Sequence, residues 1–293
     1  MTAFRARVFA SLLVVCASAA RAELPKWSYE INADYSLGGG ARTKFSDGES
    51  GDVSEQSGSA KFVLSPQITE KLLLRFGVDW QRFSFDRPHA SGLPQTLQST
   101  SVLVGADLQL FDAVLVRVEA EPGFYNDSRD LTTRGFNVPF VIGGTYLISA
   151  DLQWILGVSV DFNRAYPVLP GIGLRWKFAE SWTLNAILPN PRLEFQLGRK
   201  TTLYAGAQLI ESTYRVSNDF GGRSGDARLN DAIIDYNEIR AGLGAQWKLS
   251  RALTLEFEAG YMPYREFDFH RADVTVETKS GAAYGQLNFS SSF

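Results

Sequence analysis

The stretch Trp27–Leu37, WSYEINADYSL, decides the fold because apolar and polar side chains alternate along it. Apolar residues occupy every odd position, and the even positions carry Ser28, Glu30, Asn32, Asp34 and Ser36. A period of two places these two sets on opposite faces of a β-strand. One face therefore suits lipid, and the other suits water.

The same alternation recurs along the whole chain, for example over 72–80, 102–110 and 152–162. Runs bounded by turn residues predict about fourteen strands, near 27–37, 55–65, 71–85, 96–110, 114–124, 136–148, 151–163, 171–178, 182–188, 192–197, 201–213, 234–248, 252–264 and 276–293. Counts of twelve or sixteen also fit, since the second strand and the pair around Pro189-Asn190-Pro191 are weak. The predicted fold class is all-β: a single transmembrane antiparallel up-and-down β-barrel.

The N-terminus has the pattern of an export signal. Arg5 and Arg7 precede the apolar run Val8–Ala17, and Ala20-Arg21-Ala22 provides a small-x-small cleavage site. A spanning helix needs about 20 apolar residues, and this run has only half that length. We therefore expect residues 1–22 to be a cleaved signal peptide, which would also remove Cys16, and residues 23–293 to form the barrel.

Composition excludes several classes of function. Of the 29 basic residues three precede residue 23, which leaves 26 against 32 acidic residues and a net charge of −6. With no lysine-rich tract, this balance argues against nucleic acid as a partner. No later segment is apolar over 18 residues, so entry into a membrane would require a barrel.

The connections between predicted strands alternate in length. Short ones fall at 65–70, 111–113, 149–150, 179–181, 198–200 and 249–251, whereas long polar ones fall at 38–54, 86–95, 125–134 and 215–233. In bacterial barrels the short turns face the periplasm and the long loops face outward. We therefore expect a Gram-negative outer-membrane protein with both termini in the periplasm.

Tryptophans cluster near the predicted strand ends. They are expected at the two membrane interfaces: Trp27, Trp80, Trp154, Trp176, Trp182 and Trp247. A soluble β-sandwich would also alternate, but it would leave these tryptophans and the loop asymmetry unexplained. The pattern favours the membrane barrel.

Motifs in the last third of the chain resemble a family of outer-membrane barrels known only as a domain of unknown function. They are Leu188-Pro189-Asn190-Pro191-Arg192-Leu193-Glu194, Leu203-Tyr204-Ala205-Gly206-Ala207, Thr213-Tyr214-Arg215-Val216, Asp235-Tyr236-Asn237-Glu238-Ile239-Arg240-Ala241-Gly242 and Tyr264-Arg265-Glu266-Phe267-Asp268-Phe269-His270-Arg271. The resemblance implies fold and compartment and no activity. Phe293 likewise resembles the terminal aromatic residue that barrel-assembly machinery recognises.

Catalytic and metal-binding patterns are weak. His89 lies in a loop without an organising motif, and no serine is tied by spacing to the cluster Glu266, Asp268 and His270, which parity places on the lumen side. Acidic and amide residues of the long loop, such as Asp226 and Asp231, match no calcium-loop spacing. We predict no catalytic, cofactor or metal site, and no enzyme.

Charged residues at inward positions carry the functional hypothesis. We predict that the lumen is lined by Arg75, Asp79, Asp107, Arg117, Glu119, Asp161, Arg175, Lys177, Arg240, Glu256 and Glu258. Such charges cannot stay unpaired in a dry core, so the lumen is either wet or crossed by ion pairs.

Two functions follow from these alternatives. We favour a monomeric, porin-like channel for passive diffusion of small polar solutes, with the 215–233 loop as its constriction. The alternative is a structural or surface-interaction barrel whose lumen is closed by salt bridges and which transports nothing. Outer-membrane lipid and the barrel-assembly machinery would be its partners in either case.

Overall fold

The computed structural model describes residues 27–45, 48–86, 92–127 and 133–293. The predicted signal peptide over 1–22 and His89 lie outside these residues. The described chain forms one sheet of 17 strand segments. The sheet closes on itself because β1 (Trp27–Lys44) pairs antiparallel with both β2 (Ser50–Thr69) and β17 (Ala282–Ser292).

The remaining segments follow in chain order: β3 (Leu72–Asp86), β4 (Thr96–Phe111), β5 (Val114–Ala120), β6 (Gly123–Asn126), β7 (Phe136–Asn137), β8 (Phe140–Leu147), β9 (Leu152–Val160), β10 (Val168–Trp176), β11 (Trp182–Ile187), β12 (Arg192–Gln196), β13 (Thr201–Arg215), β14 (Ile233–Lys248), β15 (Leu253–Phe269) and β16 (Val274–Thr278). Three barrel strands consist of two segments each: β5 with β6, β7 with β8, and β16 with β17. The result is a closed antiparallel barrel of 14 strands, which confirms the predicted fold class and strand number.

Two of the interrupted strands break at proline. Pro122 separates β5 from β6, and Pro139 separates β7 from β8. Proline has no N–H to donate to a ladder, so it interrupts strand pairing where it occurs. The β6 segment then leans across the barrel and meets β13, where Asn126 pairs with Arg215 in a parallel bridge.

Helical structure in the described ranges is confined to the long connections. It comprises α1 (Phe220–Ser224) and single 3-10 turns at Thr133–Gly135 and Ala227–Leu229. None of the helices described has the length and apolarity of a membrane span.

An apolar belt surrounds the barrel. Every barrel strand contributes at least one large, exposed hydrophobic side chain: Ile31, Phe62, Val78, Val102, Val118, Ile142, Leu156, Ile172, Trp182, Leu193, Leu203, Leu243, Phe257 and Leu287. Soluble monomeric proteins rarely expose a continuous apolar surface of this size to water. The belt matches the lipid-facing surface of a transmembrane barrel, and all six tryptophans predicted at the interfaces are exposed, between 38% and 59%.

The strands on one side of the barrel are short, and we call this side, formed by β11 and β12, the low wall. Strands β11 and β12 have six and five residues, whereas β13 to β15 have between 15 and 17. Only Gly173–Trp176 of β10 pairs with β11. Toward the long-loop end, the connection from β9 to β10 extends above these short strands to β14, where Ala165 N donates to Asp235 Oδ2 at 2.8 Å.

Glycines allow inward aromatic rings to lie against the wall. A Cβ added to Gly244 would lie 2.2 Å from Tyr204 Cζ, and one added to Gly242 would lie 2.6 Å from the Tyr284 hydroxyl. Both rings therefore occupy space that any larger residue at these positions would need.

We predict that Gly244→Ala lowers the free energy of unfolding by about 1–3 kcal/mol, because the added methyl group overlaps the Tyr204 ring. Urea unfolding in detergent, followed by tryptophan fluorescence, measures the change. Gly285→Ala is the matched control, since a Cβ there meets no atom within 4 Å. Equal stabilities of the two variants would contradict the packing described here.

Candidate functional site: the barrel lumen

Charged side chains fill the lumen beside the first five strands. This β1–β5 charge cluster comprises Glu30, Lys61, Arg75, Asp79, Asp107, Arg117, Glu119 and Glu121. Arg75 donates to both oxygens of Glu30 at 2.9 and 3.3 Å and to Glu119 at 3.2 Å. Arg117 forms a bidentate pair with Asp107 at 2.5 and 2.6 Å. The three cations are almost completely buried, which requires such partners.

A second, central charge cluster comprises Glu55, Glu238, Arg240 and Arg265. Arg265 lies 2.8 Å from Glu55 and 3.1 Å from Glu238, and Arg240 lies 2.9 Å from Glu55 and also pairs with Glu238. The Tyr236 hydroxyl lies 2.7 Å from Glu55 and 2.6 Å from Glu238. Two carboxylates and two guanidinium groups balance, so β2, β14 and β15 are tied together across the interior.

A third cluster forms around Arg192 on β12. Its guanidinium donates to both oxygens of Glu256 at 3.0 Å and lies 4.1 Å from the centre of the Tyr204 ring. The Tyr284 hydroxyl donates to Glu258 at 2.5 Å. These contacts link the low wall to β13, β15 and β17.

An apolar plug closes the long-loop end. Its buried members come from many strands and from the 216–232 connection: Phe45, Val53, Phe83, Phe85, Leu93, Leu97, Tyr125, Ile210, Tyr214, Val216, Phe220, Leu229, Ile234, Tyr236, Phe267, Phe269, Val274 and Val276. Phe220 stacks on Phe269 with ring centres 6.0 Å apart, and Leu229 is fully buried. The connection predicted as a constriction therefore packs as part of a solid plug. On its outer side, hydrogen bonds from Arg228 lower the pKa of Asp226.

The opposite side of the lumen, along β8 to β13, has a different character. Its buried inward side chains are mostly neutral, and Thr145, Gln153, Asn185 and Gln208 each carry a polar atom without a hydrogen-bond partner among the described residues. We call these four residues the neutral face. A buried polar group without a partner costs about 1–3 kcal/mol. The neutral face is thus incomplete, whereas the charged groups of the three clusters are paired.

Space is available beside the neutral face. Gly143, Gly157 and Gly171 lie opposite one another on β8, β9 and β10 and bring no side chain. A Cβ added to Gly171 would meet only the Gly157 carbonyl oxygen, at 3.8 Å.

The structure places the predicted lumen residues in different surroundings. Arg75, Asp79, Asp107, Arg117, Glu119, Arg240, Glu256 and Glu258 all take part in the three clusters. Asp161 lies just beyond β9, where it accepts from Asn137 at 2.9 Å, and Lys177 lies just beyond β10, exposed. Arg175 is inward and half-buried on β10.

The predicted lumen-side parity of Glu266, Asp268 and His270 is wrong. Ile239 of β14 pairs with Tyr264 and Ala241 pairs with Tyr261, so β15 contains one extra residue in this interval and forms a bulge. Pro263 lies in this bulge and cannot donate to the ladder. Beyond it the faces are exchanged, so Arg265, Phe267 and Phe269 point inward and are fully buried. His270 instead lies 3.4 Å from Asp235.

Three members of the central cluster were not predicted. Glu55 lies an even number of residues from Lys61, and Glu238 lies two residues from Arg240. Each therefore shares the inward face of its strand, and the alternation alone could have predicted both. Arg265 could not be found in this way, because the bulge at Pro263 lies between it and Glu258.

Fold and lumen together define a transmembrane β-barrel whose interior contains three charge clusters, an apolar plug and a neutral face. The chain belongs to the family described as Domain of unknown function (DUF6268), whose model matches residues 27–290. This membership confirms the resemblance inferred from the C-terminal motifs. Among curated proteins, no match to the chain was found.

Several solved structures are similar in fold. An outer membrane channel from Pseudomonas putida F1 has 11% identity and a TM-score of 0.48, over 94% of this chain and 98% of that one. The Pseudomonas putida toluene transporter TodX has 8% identity and a TM-score of 0.41, over 92% and 91%. The translocator domain of autotransporter NalP from Neisseria meningitidis has 12% identity and a TM-score of 0.34, over 98% and 95%. Likenesses this distant carry no information on what this chain does.

We predict that Arg265→Met lowers the free energy of unfolding by about 3–5 kcal/mol, because Glu55 and Glu238 lose one of their two buried cations. Adding Glu238→Gln to this variant should recover part of the loss, since it restores the balance of charge. Urea unfolding measures both changes. Lys279→Met, at the exposed pair with Glu277, is the control and should change little. An Arg265→Met barrel as stable as this control would contradict the role of the cluster.

Proposed function

We propose that the protein is a channel of the bacterial outer membrane for small polar solutes and that the structure is its closed state. In this proposal the tight turns and both termini face the periplasm, as the long loops at the other end suggest. The apolar belt supports insertion in a membrane. The conducting path runs along the neutral face, and the apolar plug closes it at the cell surface.

The incomplete neutral face is the observation that carries this proposal. In a barrel with a purely structural role, stability would increase if the polar groups of Thr145, Gln153, Asn185 and Gln208 gained partners or were replaced by apolar ones. Water or a polar solute passing along this side would complete their hydrogen bonds. The charged groups of the three clusters, by contrast, are paired within the protein and would act as the fixed side of the path.

The 216–232 connection is the part of the plug that must move. The 216–232 connection contributes Val216, Phe220 and Leu229 to the apolar cluster, and it is joined to the barrel at both ends. Its displacement would expose a limited number of apolar side chains without breaking any barrel ladder. Opening therefore costs far less than unfolding.

A second candidate function is the closed structural barrel. The balanced central cluster favours it, since Arg240 and Arg265 tie β2, β14 and β15 across the lumen. In this case the outer loops would meet a partner, and displacement of the plug would produce no conductance.

We predict that Leu229→Asp raises the frequency of open steps in planar lipid bilayers, because a carboxylate is too costly to bury among the aromatic residues of the plug. Ala227→Asp is the matched control, since Ala227 lies in the same 3-10 turn but is exposed. The control should behave as the unmodified protein, which we expect to be mostly closed.

Correct folding of each variant is checked by heat-modifiable migration in gels. A folded Leu229→Asp barrel that stays as silent as Ala227→Asp would overturn the channel and favour the structural barrel.

A further inference from the structure

Arg175 differs from the other arginines and lysines of the lumen. Lys61, Arg75, Arg117, Arg192, Arg240 and Arg265 all pair with carboxylates. Arg175 is inward and half-buried, yet no carboxylate among the described residues lies within ion-pair distance of it. Its guanidinium keeps five donors available for a ligand.

Two neutral-face residues flank Arg175 directly. In the ladders of β10, Arg175 is opposite Gln153 of β9 and opposite Asn185 of β11. Side chains directly opposite one another have Cβ atoms about 4.5–5.5 Å apart. Both amides are at least nine-tenths buried, and the Oε1 of Gln153 and the Oδ1 of Asn185 have no hydrogen-bond partner in the part of the chain that the structure describes.

These three side chains define the chemistry of a ligand. A guanidinium donates to a carboxylate, ideally through two parallel hydrogen bonds. Amide oxygens without partners accept from hydroxyl or amine groups. Arg192, the next residue in the same row beyond Asn185, is already neutralised by Glu256. The row therefore offers one free cation between two free acceptors.

The position also suits a solute that enters from the tight-turn end. Arg175 is the last residue but one of β10, and Lys177, which follows the strand, is exposed. Deeper along the wall lie Gly171 and Gly157, which bring no side chain into the path.

We propose that Arg175, Gln153 and Asn185 form a binding site for small organic carboxylates that also carry hydroxyl groups. This inference rests on the proposed function, since it names the class of solute that the channel accepts. The site binds the carboxylate at Arg175 and the hydroxyl groups at the two amides. The ligand thereby replaces the partners that these buried groups lack.

Binding and conduction are measured separately. Gluconate is titrated against the folded full-length barrel in detergent and followed by NMR line broadening, with glucose as a probe of similar size that lacks the carboxylate. We expect gluconate to bind more tightly than glucose. Arg175→Gln should weaken gluconate binding about tenfold to a hundredfold, as expected for the loss of charge-assisted hydrogen bonds.

Lys177→Gln is the matched control, because it removes the same charge two residues away without touching the site. It should retain the binding of the unmodified protein. Equal binding of gluconate and glucose, or an equal loss in Lys177→Gln and Arg175→Gln, would overturn the site.

The two proposals fail in distinguishable ways. If Leu229→Asp conducts but gluconate does not bind, the carboxylate site is wrong and the channel stands. If gluconate binds through Arg175 but Leu229→Asp stays silent, the channel is wrong and the binding site stands.

Discussion

The pairing of buried guanidinium groups with carboxylates is the constraint on which the interior depends. A barrel of 14 strands has a wider interior than an eight-stranded barrel, which side chains just fill, and a buried charge without a partner is too costly to keep. Arg240 and Arg265 solve both problems, because each reaches Glu55 from a different strand. These long side chains fill space and hold β2, β14 and β15 at fixed distances from one another.

The charge clusters make the two sides of the lumen unequal. Beside β1 to β5 and β13 to β17 the charged groups are satisfied by other side chains, so that part of the wall is rigid. Beside β8 to β12 the strands are short, glycines replace side chains, and the buried amides of Gln153 and Asn185 lack partners among the described residues. On this second side the hydrogen-bonding groups without a partner lie beside inward glycines. The proposed path and the proposed carboxylate site are therefore placed there.

The strands could be predicted from the sequence, because their cause is local. Alternation such as that of Trp27–Leu37 follows from lipid on one side and polar groups on the other, and it marks the strand wherever it occurs. The same parity indicates that Arg75 and Arg240 point inward. It does not identify their partners, since Glu55 and Arg240 are 185 positions apart. Nor could it predict the inward position of Arg265 or the plug, because a bulge at Pro263 exchanges the faces and Phe220 and Leu229 fold in from a loop.

We infer that the lumen is closed over most of its section and open at the tight-turn end beside the low wall. Cys16 is the only cysteine, so protein prepared from residue 23 onward carries only an introduced thiol. The most direct test compares the rates at which a water-soluble maleimide labels Ser57→Cys, in the buried interior, and Thr183→Cys, at the partly exposed start of β11. Fast labelling at 183 and slow labelling at 57 is the predicted result. Equal, fast labelling at both positions would contradict a closed lumen.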